Sequence, residues 1–172
     1  MIDHEKLESS LGITEEDSSY IISIVDKLVK DCCENLDNFV DYVKNRLSDA
    51  SFPLTDRELD DIIITIPTLL YFVGTQQEKL GIRHDVTKVS RNTQFNEAYL
   101  KAAGTAGAKK AHAESLVIDD DIVLVVYIRA YNMIKSKVDS ATEILQSAKK
   151  VLTRRISEAE LTKLSTGRDK VG

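Results

Sequence analysis

The run 119-DDDIVLVVYIRAYNMIKSKVDSATEILQSAKKVLTRRISEA-159 decides the fold of this chain. Three aspartates open it, and no Gly or Pro interrupts the run. Apolar or small residues recur at Val126, Ala130, Ile134, Val138, Ala141, Leu145, Ala148, Leu152, Ile156 and Ala159. Nine steps over thirty-three positions give a mean near 3.67, the spacing of one α-helical stripe. Asp119, Asp120 and Asp121 suit a helix start, where carboxylates meet free amides and the positive end of the helix dipole. The seam is longer than a compact chain of 172 residues buries against itself, which predicts self-association through Ile134, Val138, Leu145, Leu152 and Ile156.

Two more periodic stretches precede it. Ile21, Val25, Leu28, Cys32, Leu36, Phe39, Val43 and Leu47 step by three and four, predicting a helix over 14–48 that starts at the Thr14 to Asp17 box. Thr55-Asp-Arg-Glu58 is a stronger capping box, with Glu at the third position, ahead of Leu59, Ile62, Ile63 and Ile66. The β-branched run 62–66 has strand propensity, but no partner strand is evident and the reading stays helical. Pro67 kinks that helix or starts the next, which runs over 68–102 with Gly74 and Gly81 as close contacts or a bend. Residues 103–107 form the clearest break, and 108–117 read as a short helix.

The expected fold is therefore all-α: an elongated helical bundle with a long C-terminal helix and coiled-coil-like packing. Residues 1–13 are expected to be a flexible leader, 14–160 a single helical domain (acidic part 14–66, core 68–160), and 161–172 a flexible basic tail. The absence of Trp and the scarcity of Pro (2) and Gly (7) argue against an all-β architecture. The longest apolar run, 62–73, is too short to span a bilayer, and the acidic, polar start is no secretory signal.

No constellation for catalysis is present. His4, His84 and His112 are scattered without a partner at metal-ligand spacing, and Cys32-Cys33 has no second pair, so neither a metal site nor a cofactor is expected. Buried thiols account for the cysteines. Gly104-Thr-Ala-Gly107-Ala-Lys-Lys110 lacks phosphate-loop spacing and a preceding strand, and reads as an interhelical turn. Tyr127 and Tyr131, one turn apart, either pack under the seam or offer a stacking platform beside basic residues.

The net charge of −5 hides an asymmetry: residues 1–61 carry sixteen acidic and six basic side chains, and the remainder is net positive. Lys135, Lys149, Lys150, Arg154 and Arg155, with Lys109 and Lys110, are either a solvated face or an anion-binding one.

The order 101-KAAGTAGAKKAHAE-114, an acidic cap, 127-YIRAYNMIKSKVD-139 and 147-SAKKVLTRR-155 resembles bacteriophage recombination mediators of the UvsY-like kind over about residues 68–160. The resemblance implies a non-enzymatic, ring-forming protein of the host-cell cytoplasm. It would load a recombinase onto single-stranded DNA, with Lys109, Lys110, Lys135, Lys149, Lys150, Arg154 and Arg155 facing the strand. The alternative is a helical interaction protein, such as a phage structural or scaffold component or an inhibitor of a host protein, with no nucleic-acid contact.

Overall fold

A computed structural model describes residues 4–48 and 53–168, with side chains described over 18–48 and 53–163. Among the described residues four helices account for the architecture: α1 (His4–Ser48), α2 (Asp56–Lys101), α3 (Ala106–Leu116) and α4 (Ile118–Arg168). No strand occurs among the described residues. The all-α expectation holds, and the β-branched run 62–66 is helical, with Ile62 and Ile66 turned into the core.

Two boundaries depart from the sequence reading, and at Pro67 one of its two alternatives, the start of a new helix, is excluded. α1 begins at His4 and passes through Gly12 and Thr14, so residues 4–13 are helix where a flexible leader was expected. α4 continues to Arg168, which makes 161–168 helix rather than loose tail. α2 runs unbroken through Pro67. A helix lengthens at little cost once nucleated, so a single Gly worth about 1 kcal/mol need not stop one. Positions 1–3 and 169–172 lie outside the described residues.

The start of α2 is the box the sequence announced. Thr55 N–H donates to Glu58 Oε2 at 2.7 Å, the Thr55 hydroxyl donates to the same oxygen at 2.8 Å, and Glu58 N–H donates to Thr55 Oγ1 at 3.2 Å. Arg46, from the last turn of α1, adds Nε to Glu58 Oε1 at 2.6 Å. The break at 102–105 closes on Gly104, whose φ of +108° suits a residue without Cβ. Thr105 then caps α3, and the three aspartates occupy the first turn of α4 as expected.

The helices contribute to two compact units. Unit one comprises 1–32 and 75–135. In it α2 runs antiparallel to α4, and Arg91 forks onto Asp121 at 3.0 and 3.1 Å. Its core draws on Val25 and Val29 of α1, Leu80 of α2, Ala113 of α3, Val117, and Val126, Ala130 and Ile134 of α4.

Unit two comprises 33–74 and 136–172. Here α1 and α4 run parallel with α2 antiparallel to both. Lys137 Nζ meets both oxygens of Asp37 at 2.8 Å, and farther along Arg155 reaches Asp56. The core is Cys33, Leu36, Val40 and Val43 of α1, Leu59, Ile62, Ile66 and Val73 of α2, and Ala141, Leu145 and Ala148 of α4. Gly74 and Gly81 make no close contact: a Cβ added at either would meet nothing within 4 Å.

Candidate interaction surfaces

The cations singled out from the sequence divide between the units. Lys109, Lys110 and Lys135 belong to unit one. Lys135 is exposed, Lys109 is half-buried on α3, and Lys110 leans toward Glu114 at 3.5 Å one turn on. Lys149, Lys150, Arg154 and Arg155 belong to unit two. Lys149, Lys150 and Arg154 are exposed, with Arg154 Nε 3.1 Å from Glu158. Such exposed pairs are worth little and yield readily to a competing anion.

Arg155 behaves differently and corrects the expectation of a phosphate-facing side chain. It donates Nη1 to Asp56 at 2.7 Å and Nη2 to the Leu54 carbonyl at 2.6 Å, fastening α4 to the segment that enters α2. The guanidinium fork suits such a double role, because its planar donors meet a carboxylate and a carbonyl together.

The long seam of α4 is largely spent within the chain. Ile134 and Leu145 are buried, and Val138 and Leu152 are half-buried. A second subunit has no free surface to grip at Ile134 or Leu145. Ile156, at the outer end, is 52 % exposed and Leu161 is exposed beside it.

A further apolar exposure lies in unit one, where α2 is turned inside out. The face it presents to the unit carries Leu80, His84, Thr87, Arg91 and Phe95, mostly polar or half-polar side chains. The opposite face carries Ile82, Val86, Val89 and Leu100, which are 57, 64, 67 and 79 % exposed. A second stripe on α4, Ile118, Ile122, Val125 and Met133, is also exposed. The sequence offered a signal: Leu80 and Phe95 fall on one side of a helical wheel, and Val86 and Val89 on the other.

Tyr127 and Tyr131 line a cleft of about 460 Å³ between α2 and α4 of unit one, with Gly81, Ile82, Asp85 and Ile128. Tyr127 is half-buried and Tyr131 is 41 % exposed. His84 Nδ1 lies 3.1 Å from Asp85 Oδ1 at the same cleft, whose lining residues include no Ser, Thr, Cys or Lys. Burial, aided by Asp31, pushes the Cys32 thiol up. Among the described residues no group of three or more His, Cys, Asp or Glu could hold a metal ion. Nor is any helix there long and apolar enough to cross a membrane.

Compared with protein-family models, with curated proteins and with solved structures, the chain matches none.

Proposed function

We propose that this chain is a non-enzymatic helical assembly protein that works by binding protein through the apolar faces of unit one. The observation that carries this reading is the outward stripe of α2. The covered face is built largely of His84, Thr87 and Arg91, while Ile82, Val86, Val89 and Leu100 are left in water. Contiguous apolar exposure rimmed by polar residues is the ordinary mark of a protein contact surface. The test is cross-linking in the cells that make the protein, comparing the parent with a Val86→Glu/Val89→Glu variant. Adducts that vanish in the variant support the reading, and an unchanged adduct pattern sinks it.

A second reading, the single-stranded DNA mediator that presents a strand to a recombinase, draws support from Lys149, Lys150 and Arg154. All three stand exposed on α4 of unit two. On this reading Lys109, Lys110 and Lys135 are secondary contacts, and Arg155 is structural. A gel shift with a single-stranded oligonucleotide at low and moderate salt decides it, since binding through phosphates must weaken as salt rises.

A further inference from the structure

The outward stripe of α2 has a more exact geometry than a generic sticky face. Ile82, Val86, Val89, Thr93, Asn96 and Leu100 are spaced four, three, four, three and four, and all six are exposed. That is the alternation by which one helix packs knobs-into-holes against another along a common axis. Lys79 ends the stripe on its first turn.

We infer that α2 pairs with α2 of a second copy of this chain, parallel and in register. The inference rests on the assembly reading and names its partner. Two observations select this occupant and this direction. In the parallel arrangement Ile82, Val86, Val89 and Leu100 each meet their own counterpart, Thr93 meets Thr93, and Asn96 meets Asn96. Paired amides of this kind hold a register that mixed polar–apolar contacts would lose. Reversing one helix about Val86 and Val89 instead sets Ile82 against Thr93 and Leu100 against Thr75.

The second observation is charge. With Ile82 and Val89 at one seam position and Val86 at the other, Glu78 and Arg83 fall on the two flanks, five residues apart. In a parallel pair each Glu78 faces the partner's Arg83, giving two opposite-charge contacts related by the symmetry axis. Both side chains are exposed, and the other flanking positions, Asp85 against Ser90 and Asn92 against Glu97, bring no like charges together; the like-charge approach is Lys79 against its counterpart, at the exposed end of the seam ahead of Ile82. A flexible-chain partner or an unrelated helix would have no reason to find this self-complementary order.

The experiment uses the full chain. Light scattering on the pure protein should give twice 19.2 kDa, and Val86→Glu/Val89→Glu should return it to the monomer mass with helix content unchanged by circular dichroism. Direction is read from Leu100→Cys in a Cys32→Ser/Cys33→Ala background. Mild oxidation should link two copies through position 100, which the antiparallel arrangement would hold many turns apart. If the cysteine-free background does not fold, Leu100→Cys in the otherwise unchanged chain serves, with the linked peptide identified by mapping. A monomeric parent, a dimer that survives Val86→Glu/Val89→Glu, or a dimer that never links at position 100 overturns the inference. A monomeric parent whose cellular adducts still depend on Val86 and Val89 would overturn self-pairing alone and leave the assembly reading standing.

Discussion

Replacing Thr55 by Ala tests how α2 is started. The substitution removes the acceptor for Glu58 N–H (3.2 Å) and the hydroxyl that donates to Glu58 Oε2 (2.8 Å). It leaves the backbone donation from position 55 (2.7 Å) and the contact with Arg46 (2.6 Å) in place. Loss of such a cap costs about 1 kcal/mol, which in a chain of this length lowers the melting temperature by roughly 2–4 °C. The same box makes a prediction about acid. The Thr55 N–H, then Arg46 and the Thr55 hydroxyl, hold the Glu58 carboxyl at about 2, against an ordinary 4.5. A folded value below the unfolded one means the contribution is complete above about pH 4.5 and fades as pH falls toward 2. Thermal melts of the parent and of Glu58→Gln, followed by circular dichroism from pH 7 downward, should differ by a constant amount until about pH 4.5 and converge below it. A Thr55→Ala chain that melts with the parent, or a Glu58→Gln gap that persists unchanged at the acid end, would refute the reasoning.

Pro67 interrupts the hydrogen-bond ladder of an otherwise continuous helix at an exposed position, so Pro67→Ala should stabilise the chain by up to about 3 kcal/mol in urea titrations. Gly81→Ala, with nothing within 4 Å of the added Cβ, should add about 0.5–1 kcal/mol in the same assay. Leu59 is completely buried in unit two, and Leu59→Ala should cost about 2–5 kcal/mol, read as a lower urea midpoint. If the second functional reading is right, Lys149→Ala/Lys150→Ala/Arg154→Ala should flatten the salt dependence of single-strand binding by about 2 units, at about 0.7 per phosphate contact. Fluorescence anisotropy against salt concentration measures it.

Helix positions were legible because two local signals agreed. The spacing of Val126 through Leu152 and of Ile21 through Leu47 is a property of neighbouring residues, and so is the Thr55–Glu58 box. The ends were not legible, because Gly12 and the small polar residues after Glu160 weaken a helix without outweighing the turns beside them. The surfaces were legible only in part. Lys149 and Lys150 stand exposed on α4, but Arg155 looks equally free in the sequence, because its partners lie about a hundred positions away. In α2 the apolar residues fall on two sides of the helix. Leu80 and Phe95 alone could not outvote Ile82, Val86, Val89 and Leu100 as the inward face. Which side a chain covers depends on what its neighbours leave open, and local periodicity carries no record of that.

Neither unit is a continuous stretch of chain, and this sets an order of assembly. The contacts between α1 and α2 in unit two close a short loop: Arg46 and Glu58 are 12 residues apart. The contacts that add α4, Lys137 with Asp37 and Arg155 with Asp56, span 100 and 99 residues. Closing the longer loops costs more chain entropy, so the α1–α2 pairing can form early and α4 must dock late. Until the ribosome has released most of α4, the faces of Leu36, Val43, Leu59 and Ile62 that α4 covers stand open to water, so the nascent chain passes through a stage with greater need of chaperone protection than the finished protein has.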